Sequence, residues 1–261
     1  MEPRTQVDSG KDGDVRGGRK SVLRGRRALV VGGSGGIGKA IAAELAQRGA
    51  SLVVQGRSSE KVEGLIRSIR MSGGQARGCP CEIQTPRDFL AAIEPFGDFD
   101  ILVVAFGPFV RKSFAAYDTS DWEKMALLNL ALPGALASRY FPAMRDRGFG
   151  RMLFFGGTRT DAVRGFTSNA AYAAAKTGLG VLAKSIAIEG AARNVAALVI
   201  CPGLVRTEYI GPDEAASLAR MAPGGRLSSP ADVAATALDL MDRDPCLASG
   251  AIVSLDSGFS P

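Results

Sequence analysis

The sequence predicts an α/β protein: a doubly wound parallel sheet of about seven strands with helices on both faces. Three observations carry this. Short runs rich in Val, Leu and Ile alternate with amphipathic stretches along residues 23–261, the pattern of strands buried on both faces by helices. A glycine-rich turn, Gly32-Gly33-Ser34-Gly35-Gly36-Ile37-Gly38, separates the first apolar run from the first amphipathic stretch. No repeat or linker divides the chain beyond residue 22, so 23–261 reads as one domain.

The elements follow in order. Arg27 to Val31 is the first strand. Ile37, Ile41 and Leu45 stand at i, i+4 and i+8, one face of a helix, and Gly49 ends it. Leu52 to Val54 is a strand, Val62, Leu65, Ile66 and Ile69 mark a helix, and a short strand ends near Cys81. Thr85-Pro86 caps and opens a helix. Ile101 to Ala105 is a strand, and Ser120 or Asp121 caps a long helix running towards Met144. A strand from Met152 to Phe155, an Ala-rich helix over about 169–192, a strand from Val195 to Cys201, a helix from Ser229-Pro230 and a strand from Ala251 to Leu255 complete the alternation. Segment 206–228, with Gly211-Pro212 and Pro223-Gly224-Gly225, has a weaker apolar pattern. It reads as a loop with a short helix, a candidate substrate lid.

Composition bounds the function. Hydrophobic residues make up 46% and charged residues 22% of the 261, ordinary for a soluble globular chain. No apolar run approaches the roughly 18–20 residues of a membrane span, so no membrane partner is expected. The net charge of +6 is concentrated at the front, where residues 1–27 hold eight Lys/Arg against four Asp/Glu. Residues 1–22 read as a flexible, solvated basic extension rather than a nucleic-acid-binding arm, without the apolar region of a secretory signal. The four cysteines, Cys79, Cys81, Cys201 and Cys246, form no C-x-x-C pair. Reduced thiols in a cytoplasmic protein are the expectation, and Cys79 and Cys81 lack the further ligands of a metal site. There is no histidine. Ser-His-Asp chemistry and His-ligated zinc are therefore excluded, and proton transfer falls to Lys, Tyr, Cys, Asp or Glu.

The glycine turn lies where strand meets helix. Glycines there let backbone approach a pyrophosphate, and the helix N-terminus offers free N–H groups. This strand-turn-helix context makes Gly32, Ser34, Gly35, Gly36, Ile37 and Gly38 a Rossmann-type dinucleotide cradle. Arg57 stands 19 residues after Gly38, at the end of the second strand, where an NAD site would place a carboxylate. A cation there suits the 2′-phosphate of NADP(H). Tyr172 and Lys176 are four residues apart on the Ala-rich helix, hence on one face. An ammonium beside a phenol lowers the phenol's pKa.

With these motifs in this order, residues of about 23–258 resemble the classical short-chain dehydrogenase/reductase family, closest in kind to 3-oxoacyl-acyl-carrier-protein reductases. The pattern T-G-x-x-x-G-x-G matches Val31-Gly32 through Gly36-Ile37-Gly38, Y-x-x-x-K matches Tyr172 and Lys176, and P-G matches Pro202-Gly203. The resemblance implies that Tyr172 protonates a substrate carbonyl and that Lys176 binds the nicotinamide ribose. It implies that Asn129 holds a water in the proton path, and that Pro202, Gly203, Val205 and Thr207 hold the carboxamide. Glu82 and Ile83 would meet the adenine, and Ala105 and Gly107 would line the cofactor. Three departures are visible. Val31 stands for the motif Thr, and Val104-Ala105-Phe106-Gly107 stands for N-N-A-G. The family serine is displaced: counting back from Tyr172 reaches Arg159, counting from the strand reaches Gly157, and Thr158 adjoins both. Thr158 is the expected hydroxyl, with Thr160 or none as alternatives.

The expected function is NADPH-dependent reduction of a ketone or 3-oxoacyl group, small or carrier-bound, by a homo-oligomer (dimer or tetramer). Arg139, Arg145 and Arg147 are candidates for an acidic carrier, or a solvated helix end. The alternative is a nucleotide-binding protein with weak or no catalysis, serving as a redox-sensing or scaffold partner.

Overall fold

The computed structural model describes residues 20–259. Residues 1–19 of the expected extension lie outside the described residues. Seven strands form one parallel sheet: β1 Arg27–Val31, β2 Ser51–Gly56, β3 Gln75–Pro80, β4 Ile101–Val104, β5 Gly150–Phe155, β6 Val195–Pro202 and β7 Ile252–Leu255. Their spatial order is β3-β2-β1-β4-β5-β6-β7. The order reverses between β1 and β4, and doubly wound sheets place their ligands at the carboxyl ends of the strands at such a switch point.

Helices cover both faces. On one side lie α1 Gly36–Gln47, α2 Ser59–Met71 and α8 Pro230–Met241; on the other lie α3 Pro86–Ile93, α5 Leu132–Arg147 and α6 Ala170–Gly190. Alternate β1 residues serve the two cores: Ala28 and Val30 pack with Ile41 and Leu45 of α1, whereas Leu29 and Val31 pack with Phe89 of α3 and Leu136 of α5. Each such fully buried Leu or Ile contributes about 1.5–3 kcal/mol, so the two apolar layers hold the sheet's carboxyl ends in register.

Three local expectations are corrected. The cap of α4 (Thr119–Ala126) is Asp118, not Ser120 or Asp121. Asp118 accepts the Asp121 N–H at 3.0 Å, and Asp121 accepts the Asp118 N–H at 3.2 Å, a reciprocal capping box. The long helix is not uniform: Leu127–Ala131 is a π-helical turn joining α4 to α5. Such turns concentrate at functional sites, and this one carries Asn129. Finally, β5 begins at Gly150 rather than Met152 because Arg151 is fully buried. Its guanidinium donates to carbonyls of Met241, Gly150, Asn194 and Arg243 at 2.7–3.1 Å, which removes the penalty of an unpaired buried donor. Segment 206–228 contains α7 Pro212–Met221 and a short turn Pro223–Gly225.

Candidate active site

The glycine turn is compact. Gly32 has φ +76°, and a Cβ on Gly38 would lie 2.2 Å from the Gly32 carbonyl oxygen, so only glycine lets the turn pack onto α1. Gln55, 2% exposed at the end of β2, accepts the Gly32 N–H at 2.9 Å and donates to the Cys81 carbonyl at 2.7 Å. It ties the turn to β3. Ser34 packs against Gly56, and Arg57 emerges exposed just beyond it. Glu82 is exposed and Ile83 buried at the mouth of β3. The backbone of Ala105 is held by Val31 (N–H to O, 2.9 Å).

The first turn of α1 already carries an anion. The Gly36 N–H donates to both oxygens of Glu208, at 3.0 and 3.1 Å. Burial pushes the Glu208 carboxyl up. Its own amide, the Gly36 amide, Lys39 and Lys61 outweigh that and hold it below the usual range. Tyr209 lies on Gly35, where a Cβ would stand 1.9 Å from the phenol oxygen, and Thr207 lies beside Gly36. The start of segment 206–228 therefore rests on the turn expected to hold phosphate. The chemistry of the cradle's backbone donors fits a dinucleotide's pyrophosphate, and Glu208 and Tyr209 stand over those donors.

Beside the carboxyl end of β5, Lys176 is 4% exposed. Its Nζ donates to the Phe155 carbonyl at 2.9 Å and the Phe106 carbonyl at 3.4 Å. Burial lowers its pKa to about 8, against a smaller rise from Cys201. Tyr172 is on the same face, its ring centroid 5.8 Å from Nζ. The expected drop in the Tyr172 pKa is not found. Burial, helped by Cys201, pushes it up to about 12, because taking a phenolate out of water disfavours the charged form. Asn129 is fully buried. Its Nδ2 donates to the Pro108 carbonyl at 3.1 Å, and its Oδ1 is buried without a partner. A Cβ on Gly107 would stand 2.1 Å from that Oδ1 and 3.0 Å from the Lys176 Nζ. Gly107 thus leaves the space that joins Asn129 and Lys176.

Gly157, Thr158 and Thr160 occupy different surroundings. A Cβ on Gly157 would meet the Tyr172 ring at 2.6 Å and its hydroxyl at 3.1 Å, so Gly157 is the residue of the turn that faces the phenol. Thr158 instead donates its hydroxyl to the Pro202 carbonyl at 3.0 Å. Thr160 is buried, its hydroxyl exchanging bonds with the N–H and carbonyl of Gly157. Gly203 abuts Asp256, and Val205 bridges to Ser228. The sequence reading missed Gln55, Glu208, Tyr209 and Phe109. The Phe109 ring meets Tyr172 edge-on with centroids 5.0 Å apart. Arg139, Arg145 and Arg147 are paired with Asp98, Asp146 and Asp100. Among the described residues, no cluster of three or more His, Cys, Asp or Glu could hold a metal, and no helix is long and apolar enough to cross a membrane.

Comparison with known proteins identifies the family of the chain. A family model described as short chain dehydrogenase matches residues 26–216. The putative oxidoreductase YtkK of Bacillus subtilis is 30% identical over 250 residues, covering 90% of this chain and 96% of that one. The 3-oxoacyl-[acyl-carrier-protein] reductase MabA of Mycobacterium tuberculosis is 32% identical over 249 residues, covering 93% and 96%. A crystal structure of a 3-oxoacyl (acyl-carrier-protein) reductase from Agrobacterium tumefaciens with NADP bound superposes with a TM-score of 0.82 at 28% identity, over 90% of this chain and 95% of that one. A family model spanning most of the chain, and relatives aligned along nearly its whole length, place it in the classical short-chain dehydrogenase/reductase family.

Proposed function

We propose that this chain is an NADPH-dependent reductase converting a ketone or 3-oxoacyl group to the alcohol. The observation that carries it is the Tyr172–Lys176 pair, the phenol half-buried and the ammonium buried, on one face of α6 at the carboxyl end of the sheet. Bound NADPH would supply the hydride. Tyr172 keeps its proton at neutral pH and donates it to the substrate oxygen as negative charge develops there. Lys176, fixed by two carbonyls, would bind the nicotinamide ribose, and Asn129 would direct a water towards it for proton resupply. Gly107 provides the room for that path. Pro202, Gly203, Val205 and Thr207 would flank the nicotinamide end, and Gly32 to Gly38 would cradle the pyrophosphate. Glu82, Ile83 and Ala105 would lie along the adenine side.

The NADP preference rests on Arg57 at the end of β2 and on the NADP held by the Agrobacterium relative. The 3-oxoacyl assignment rests on similarity to two such reductases. The intrachain pairing of Arg139, Arg145 and Arg147 favours a small-molecule substrate over docking of an acidic carrier there. Thr158 acts as a brace between the turn and β6 rather than as a carbonyl donor, and with no side chain at Gly157 the phenol of Tyr172 is the donor offered to the substrate oxygen. Segment 206–228 serves as the lid. Val181 and Ile188, seven residues apart on α6 and 71% and 83% exposed, suit packing against a second copy in a cytoplasmic dimer or tetramer.

The test is NADPH oxidation with a panel of cyclic ketones, keto sugars and a 3-oxoacyl thioester. Wild type should turn over at least one class, and Tyr172→Phe should bind NADPH but turn over none. The lack of a hydroxyl at Gly157 favours one rival, a dinucleotide-binding sensor or scaffold. Wild-type binding without turnover of any substrate would select it.

A further inference from the structure

Cys79 and Cys81 flank Pro80 at the carboxyl end of β3, an edge strand of the sheet. Residues two apart in an extended strand point to the same face, and the two Sγ atoms lie 3.7 Å apart. A disulfide needs about 2.05 Å, so closure asks for an approach of about 1.7 Å, available to Cys81 because it lies just past the strand. Cys79 is buried and Cys81 half-buried; Cys201 and Cys246 are both buried elsewhere. The pair is chemically unequal. Cys81 is the more accessible of the two, and the hydrogen bond the thiols share lowers its pKa, while that bond and burial raise the pKa of Cys79. Cys81 is the nucleophile of the pair and Cys79 the resolving thiol.

Cys81 is also wired to the glycine turn. Its carbonyl accepts from Gln55 Nε2 at 2.7 Å, and the same side chain's Oε1 accepts the Gly32 N–H at 2.9 Å. The Cys81 N–H in turn donates to the Gly56 carbonyl at 3.1 Å. Moving Cys81 towards Cys79 strains this relay.

We propose that Cys79 and Cys81 form a modification site, a dithiol that a low-molecular-weight disulfide oxidises and whose closure loosens the glycine turn. The Cys81 thiolate attacks one sulfur of the disulfide RS–SR; that S–S bond breaks, and RS⁻ leaves and takes up the proton Cys81 released. Cys79 then loses its proton and attacks Cys81 Sγ; the mixed disulfide breaks, and the second RS⁻ takes that proton. Two cysteine thiols are oxidised to one disulfide, and RS–SR is reduced to two RSH. Only the consequence for dinucleotide affinity rests on the proposed function.

The experiment equilibrates the full chain with graded mixtures of oxidised and reduced glutathione, quenches by alkylation, and reads intact mass, peptide maps and hydrogen exchange. Wild type should lose two hydrogens, with the disulfide in the 75–83 peptide. Cys79→Ser should stop as a glutathione adduct on Cys81, and Cys81→Ser should react slowest. Oxidised wild type should exchange faster at residues 29–36 and bind NADPH about fivefold more weakly, the worth of roughly one hydrogen bond, both reversed by dithiothreitol. No disulfide at any ratio, or Cys81→Ser reacting as fast as wild type, would overturn the dithiol. A disulfide that left exchange at 29–36 unchanged would overturn its coupling to the turn. If reduced protein bound no dinucleotide, the functional reading would fall, while mass and exchange would still decide this one.

Discussion

Replacing Glu208 should tighten dinucleotide binding, although the residue touches the cofactor turn. The Glu208 carboxylate takes the Gly36 N–H with both oxygens at 3.0 and 3.1 Å, occupying the donor that a pyrophosphate would use. A hydrogen bond to a charged group is worth about 1.5–3 kcal/mol when shielded. Glu208 is exposed, so solvent screening reduces this to about 1 kcal/mol. Binding of a ligand that needs the open state is weakened by the fraction of protein held closed. Removing about 1 kcal/mol of closure raises apparent NADPH affinity by up to about fivefold. Glu208→Ala should show the full gain, and Glu208→Gln, which keeps an acceptor without the charge, about half of it in free energy. Fluorescence titration with NADPH at low and high salt measures both. Simple repulsion between carboxylate and pyrophosphate would make the gain fade at high salt, whereas loss of the closing bond leaves most of it. An affinity for Glu208→Ala equal to or below wild type at both salt levels would refute the reasoning.

Other substitutions and conditions test the remaining links. Arg57→Ala should weaken NADPH about tenfold, the order of one charge-assisted phosphate contact, and leave NADH unchanged; equal wild-type affinities for the two would remove the NADP assignment. Reductive turnover should fall as pH rises through about 8, where Lys176 loses its proton, while Tyr172 stays protonated towards about 12; a profile flat to pH 10 would separate Lys176 charge from the chemistry. Stability should move the opposite way. Unfolded Lys176 keeps its proton up to its ordinary 10.5, so between about 8 and 10.5 the unfolded chain binds more protons and folding is favoured as pH rises. The full effect is about 3 kcal/mol, and Lys176→Met should abolish this slope in denaturant melts. Thr158→Ala should lose about 1 kcal/mol of stability with its bond to Pro202 and change kcat by less than tenfold; a hundredfold fall in kcat with unchanged melting would make Thr158 the carbonyl donor after all.

The strands and helices were legible where apolar spacing decides burial. Ile41 and Leu45, read as one helix face, are both fully buried, and the Thr85 and Ser229 caps hold where the Thr-Pro and Ser-Pro pairs place them. Buried polar residues set two strand boundaries. The second strand ends at Gly56, next to the Arg57 that marks its end in the sequence, with Gln55 buried between Gly32 and Cys81; the fifth starts before Met152, with Arg151 buried among carbonyls from four residues. A polar side chain in the sequence reads as surface. Its partners lie 23 to 92 residues away in five of these six bonds, beyond any local pattern, and it is those partners that make burial affordable.

The site divides along the same line. Tyr172 and Lys176 could be paired from sequence because one helix fixes their spacing, and the turn from Gly32 to Gly38 because it is contiguous. What crosses between elements could not be counted. The phenol faces Gly157 because the irregular stretch between β5 and α6 closes onto α6, and no residue count through a loop fixes which position arrives there. The sign of the Tyr172 shift was missed for a related reason: adjacency to a lysine is visible in sequence, desolvation is not, and desolvation is the largest cause of the shift. That reversal bears on direction. A phenol held protonated to about 12 is a ready acid and a poor base at neutral pH. With Gly157 contributing no second hydroxyl, reduction of a carbonyl already polarised by its own neighbours demands least of this site. Alcohol oxidation would need Tyr172 ionised, and should therefore gain rate with pH over the range where reduction loses it.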